Sequence, residues 1–127
     1  MNPKILVVDD EAYIRLLLEL TLEPLEESGV VVLSAEDGRS ALDMIKAEKP
    51  NLVFLDVMMP EVDGLTVCQT VKQEWGMTDT YIVLLTAKSQ EIDIAMGKQA
   101  GADEYITKPF DPDELLEHTE KILGLNQ

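Results

Sequence analysis

Leu52-Val53-Phe54-Leu55-Asp56 is the stretch that decides how this chain folds: four apolar residues run without a break into a carboxylate. A half-buried strand alternates apolar and polar residues, whereas a strand covered on both faces reads as a continuous apolar run, the habit of parallel sheets. Similar runs stand at Ile5-Leu6-Val7-Val8, Val30-Val31-Val32-Leu33 and Ile82-Val83-Leu84-Leu85, with a shorter one at Tyr105-Ile106. Between them the apolar positions change to helical spacing, at Ala41, Leu42 and Ile45, at Leu65, Cys68 and Val71, at Ile92, Ala95 and Met96, and at Leu115, Leu116, Thr119, Ile122 and Leu123. A first helix is expected from about Glu11 to Glu27 on Ile14, Leu17, Leu18 and Leu25, with Pro24 kinking or ending it. Strand and helix thus alternate along the whole chain, which predicts an α/β fold with a doubly wound parallel sheet and right-handed crossovers.

Composition supports a single globular domain over residues 1–127, since 127 residues suffice to bury a core without staples and no linker or internal repeat divides them. The one cysteine, Cys68, cannot form an internal disulfide, and no basic segment followed by an apolar one opens the chain, so a cytoplasmic setting is expected. No apolar run approaches the roughly 20 residues that span a bilayer, which argues against a membrane role. The formal net charge of −15 would repel a phosphate backbone, so no direct nucleic-acid binding by this chain is expected. The acids are dispersed, as on a solvated surface, rather than gathered in a tail.

In an open α/β sheet, ligands sit beyond the carboxyl ends of the strands. The first run here ends in Asp9-Asp10-Glu11, the third in Asp56, the fourth in Thr86 and the fifth in Thr107-Lys108. Carboxylates brought to one rim repel each other unless protonated or neutralised by a cation. A hard divalent ion such as Mg²⁺ suits them, with Asp10 and Asp56 as direct ligands and Asp9 direct or through water. A carboxylate held beside such an ion is a competent nucleophile towards phosphorus, and Lys108 and the Thr86 hydroxyl could meet charge on a phosphoryl group.

Each residue has a plainer reading. Asp9-Asp10 could cap a helix, Asp56 could be a loop residue and Lys108 an ordinary surface lysine. Their convergence at four strand ends of one sheet is what favours a site. His118 has no Cys or His partners at ligand spacing and is expected beside the apolar stripe of the last helix. Cys68, Trp75 and the methionines read as packing residues. Gly97 and Gly101 lack the fingerprint of a phosphate loop.

The motif set Val7-Val8-Asp9-Asp10-Glu11, Leu55-Asp56-Val57-Met58-Met59-Pro60 with Asp63-Gly64, Leu85-Thr86-Ala87-Lys88, and Gly101 through Phe110 with Lys108-Pro109 resembles the receiver domain of two-component response regulators. The resemblance spans the chain and implies a CheY-like, flavodoxin-like sheet of five parallel strands in the order 2-1-3-4-5 with five helices. It implies Asp56 as phospho-acceptor and Asp9, Asp10, Asp56 and the backbone carbonyl of Met58 around Mg²⁺. Lys108 would sit on the phosphoryl group, with Thr86 and Tyr105 as the switch pair and Lys108-Pro109 as a cis bond. The implied partners are a histidine kinase or phosphotransfer protein and a downstream effector or output domain, reached through the surface of the fourth helix, fifth strand and fifth helix. The implied assembly is a monomer or weak phosphorylation-dependent dimer.

Three departures qualify the resemblance. The segment from Glu11 to Ser34, with Pro24, is about three residues longer than in the family. Met58 and Lys88 occupy variable positions where dephosphorylation is tuned. Ile94, His118 and Glu120 stand where winged-helix regulators carry basic dimer contacts, although the Asp103-Glu104-Tyr105 run is similar. The expected activity is therefore a signalling switch that catalyses only its own phosphorylation and dephosphorylation. A phosphohydrolase of the DxD kind would place a second acid at Met58, and a degenerate receiver would lack the acceptor, an acid or the lysine.

Overall fold

Every apolar run named above becomes a strand, and the ends of those strands converge on one rim. The computed structural model describes residues 2–87 and 91–125, with backbone alone for 91–94. Strands β1 (Lys4–Val8), β2 (Val31–Ala35), β3 (Leu52–Asp56), β4 (Tyr81–Ala87) and β5 (Glu104–Lys108) form one parallel sheet in the order β2-β1-β3-β4-β5. The helices between and after them are α1 (Ala12–Glu26), α2 (Gly38–Glu48), α3 (Gly64–Gln69), α4 (Glu91–Ala100) and α5 (Pro112–Leu123). This is the expected fold class and strand order.

The continuous apolar runs have the predicted cause. Along β1, β3 and β4, Leu6, Val8, Val53, Leu55, Ile82 and Leu84 enter one core. Their neighbours Ile5, Val7, Leu52, Phe54, Val83 and Leu85 enter the other. All twelve are fully buried. The first core is closed by Ala41 and Ile45 of α2, Val67 and Cys68 of α3, and Ala100 of α4. The second is closed by Ile14, Leu18, Leu22 and Leu25 of α1 and Leu115 of α5. Each buried Val, Leu, Ile or Phe among them contributes about 1.5–3 kcal/mol on leaving water.

Local chemistry sets the helix ends. Asp37, Asp63 and Asp111 accept backbone N–H bonds from Ser40, Thr66 and Asp113 at the starts of α2, α3 and α5, as N-caps do. The N–H of Ser40 in particular holds the Asp37 carboxyl below its usual range. Pro24 lies inside the last turn of α1, where little helix remains to break; the chain turns out at Gly29, with φ of 93°. α3 runs on into a π-helical turn, Thr70–Glu74, for which the sequence offers no signal.

Two expectations about faces need correction. Ala95 and Met96 of α4 are exposed, and Gly97 and Ala100 face the sheet instead. A Cβ on Gly97 would lie 2.6 Å from Leu84 Cδ1, so the close approach of helix to strand selects small residues that carry no hydropathy signal. The methionines are not all packing residues: Met44, Met59 and Met77 pack on the first core, while Met58 and Met96 are exposed. Trp75 packs as expected, with Lys46 Nζ 5.4 Å above its ring.

Candidate acidic phosphoryl-transfer site

Parallel register delivers the site. Val8 pairs with Leu55, Asp56 with Leu85, Thr86 with Thr107 and Ala87 with Lys108, so the four strand ends finish side by side. Asp9 and Asp56 are buried there, whereas Asp10 is exposed. Carboxylate oxygens of Asp9, Asp10 and Asp56 all lie within 4.8 Å of one another. The capping reading of the acidic pair does not hold: the residue at the α1 N-cap is Glu11, without a side-chain cap bond.

Asp9 is fully engaged. Its Oδ1 accepts the Glu11 N–H at 2.9 Å, its Oδ2 accepts Lys108 Nζ at 3.3 Å, and its N–H donates to the Ala35 carbonyl at 3.3 Å. Lys108 also donates to Asp56 Oδ1 at 3.0 Å, so one ammonium joins two buried carboxylates. Burial, and then the charge of Asp9, push the Asp56 carboxyl up to about 6 against the opposing influence of Lys108. Burial works against the Lys108 ammonium, but the hydrogen bond and charge of Asp56 and those of Asp9 outweigh it and raise its pKa. A pocket that leaves one carboxylate so reluctant to ionise, with exposed Asp10 beside it, suits a small hard cation bound by oxygen.

Thr86 is the penultimate residue of β4, close to the expected strand end, and is buried; its Oγ1 has no hydrogen-bond partner among the described residues. Tyr105 is half-buried on β5, with Lys98 Nζ 5.9 Å from its ring centroid. Met58 lies in the loop between β3 and α3, its side chain exposed. Lys88 and the side chain of Ile94 lie outside the described residues. The Lys108-Pro109 bond is cis, as the resemblance implies.

Outside the rim, Cys68 is buried as a small hydrophobe and burial pushes its thiol up to about 11. His118 is half-buried and pairs with Glu104 of β5, a contact the sequence did not signal because the partners belong to different elements. The sequence also missed Arg15, whose Nη1 donates to the Asp9 carbonyl at 2.6 Å. The available signal was a cation near the start of a helix, where the dipole disfavours positive charge.

A family model described as the response regulator receiver domain matches residues 5–120. The chain is 47% identical over 123 residues to the alkaline phosphatase synthesis transcriptional regulatory protein PhoP of Bacillus subtilis, covering 97% of this chain and 49% of that protein. It thus spans about half the length of the curated relatives it matches. Among solved structures, the BeF3-activated receiver domain of DrrB aligns with a TM-score of 0.83 at 34% identity, over 98% of this chain and 99% of that one. DrrB is a Thermotoga maritima OmpR/PhoB homologue. The chemotaxis protein CheY4 of Vibrio cholerae aligns with a TM-score of 0.83 at 30% identity, over 96% and 99%. Together with the acids, the lysine and the threonine at four strand ends, these matches show that the chain belongs to the response regulator receiver domain family of two-component signalling.

Proposed function

We propose that the whole chain is one receiver domain in which Asp56 accepts a phosphoryl group from a histidine kinase or phosphotransfer protein, and that the resulting change of surface controls an output. The observation that carries this reading is Lys108 drawn onto Asp56 while the buried Thr86 hydroxyl, near the end of the next strand, has no partner among the described residues. An unmade hydrogen bond on a buried hydroxyl costs about 1–3 kcal/mol, so such a group persists where another state of the protein satisfies it. A phosphoryl oxygen on Asp56 is the partner it lacks.

Asp10, Asp56 and the Met58 carbonyl would hold Mg²⁺, with Asp9 at or behind the coordination shell. Held there, Mg²⁺ would supply positive charge that favours the ionised form of Asp56 and attracts phosphoryl oxygens. A carboxylate oxygen of Asp56 then forms a bond to phosphorus as the bond to the donor imidazole nitrogen breaks, its electron pair returning to the ring. Lys108 neutralises the phosphoryl oxygens. Hydrolysis reverses the modification, and the domain has no external substrate.

Thr86 donating to the phosphoryl group, with Tyr105 following it, favours one of two packings of α4, β5 and α5. The output is carried by a separate region or partner, consistent with the charge of −15 and with a relative of about twice this length that is a transcriptional regulatory protein. The proposed setting is the cytoplasm, as a monomer or weak phosphorylation-dependent dimer, and no described helix is long and apolar enough to cross a membrane.

Thr86→Val tests this reading through two opposite signs. Removing the orphaned hydroxyl should leave the unphosphorylated protein as stable as wild type or up to about 1 kcal/mol more stable. It should also diminish the thermal stabilisation given by beryllofluoride with Mg²⁺, which stands in for the phosphoryl group. An undiminished response would remove Thr86 from the switch.

A further inference from the structure

We infer that Arg15 is a positioning residue for the cation site: from the start of α1 it latches the peptide that aims Asp10. The inference rests on the proposed Mg²⁺ site and adds a residue to it. Arg15 Nη1 donates to the Asp9 carbonyl at 2.6 Å, bridging six positions of chain. That carbonyl belongs to the planar unit joining Asp9 to Asp10, so holding the oxygen fixes where the Asp10 Cα lies and how its side chain leaves the loop. Bonds to charged donors are the strong and directional ones.

Asp10 depends on this help. Asp9 is held at its N–H by Ala35 and at its two carboxylate oxygens by Glu11 and Lys108. The Asp10 carboxylate is exposed and has no hydrogen bond or ion pair among the described residues, so only its backbone can orient it. Arg15, for its part, forms no ion pair with any carboxylate among the described residues. Its guanidinium is committed to a carbonyl in the midst of an acidic protein, and it sits where the α1 dipole opposes a cation. A side chain placed against its own electrostatic preference, with its best donor on the loop that carries the ligands, acts through geometry rather than charge.

Charge and geometry predict opposite signs, and that makes the test sharp. By Coulomb's law, Arg15→Met removes a positive charge near a dication and should tighten Mg²⁺ binding. By loss of the latch it should weaken Mg²⁺ binding about tenfold, as supporting residues of metal sites do. Isothermal titration of Mg²⁺ into the folded chain reads the sign, with Arg15→Lys and Asp10→Asn alongside and hydrogen exchange over residues 8–12. The expected result is weaker binding and faster exchange in Arg15→Met, with Arg15→Lys intermediate. Equal or tighter Mg²⁺ binding by a folded Arg15→Met protein, while Asp10→Asn binds weakly, overturns the role of Arg15 alone. Wild-type affinity in Asp10→Asn overturns the cation site itself, and the role of Arg15 with it.

Discussion

Lys108→Met is expected to cost the metal-free protein about 3 kcal/mol at pH 7, toward the lower end of what breaking a buried ion pair costs. Lys108 is the cation in contact with both Asp9 and Asp56, and neither carboxylate is open to water. The loss grows as pH rises. In the wild type, Asp56 titrates near 6 rather than at 3.8, so the folded state holds this proton more tightly than the unfolded chain does. Its penalty is absent below the unfolded value, grows as pH rises, and is complete above about 6, where it reaches on the order of 3 kcal/mol. Without Lys108 the two influences that lower the Asp56 pKa vanish, and the carboxyl shifts further up. Urea denaturation at pH 5 and pH 8 should therefore show a small deficit at the lower pH and a large one at the higher. Adding Asp56→Asn should recover part of the loss, since an Asp56 carboxyl that simply stays protonated at pH 7 limits its own share to roughly 1.5 kcal/mol. Equal deficits at both pH values would mean that Lys108 stabilises by packing alone.

Gly64→Ala should be the most damaging single-methyl change near the rim. Its Cβ would stand 2.2 Å from the Asp56 carbonyl oxygen and 2.9 Å from Val57 Cα, and both obstacles are backbone. Gly64 also donates its N–H to the Val57 carbonyl at 3.0 Å, which ties the start of α3 to the end of β3. The strand end must shift, costing about 3 kcal/mol, the upper range for overpacking. Asp56 moves with it, and a displacement near 1 Å lowers transfer to Asp56 by about a hundredfold. Gly76→Ala is the control: its φ is +65° but nothing lies within 4 Å, so it should cost only the backbone term of about 1 kcal/mol. Thermal denaturation and the rate of labelling by acetyl phosphate read both effects.

The sheet and its rim were legible in the sequence for one reason. A strand buried on both faces leaves no polar residue until it ends, so the first polar residue after each run marks the rim. Asp9, Asp56 and Thr86 were found in that way; on the partly exposed β5 the first polar residue after the run is Thr107, and Lys108 follows it. What stayed hidden involved residues whose role is geometric. Gly97 and Ala100 bring α4 to the sheet by being small, whereas the hydropathy pattern pointed to Ala95 and Met96, which face solvent. The first helix ends at Glu26, close to the expected Glu27, with Pro24 inside its last turn, where little helix is left to break. Arg15 acts on a backbone carbonyl, and no spacing rule records such a bond.

The central claim is that Asp56 is the residue on which phosphate acts. Intact-mass spectrometry after incubation with acetyl phosphate and Mg²⁺ tests it most directly, with wild type and Asp56→Asn compared side by side. A single phosphoryl adduct is expected on the wild type, dependent on Mg²⁺, and none on Asp56→Asn. The same adduct on both proteins, or none on a folded wild type, would contradict it.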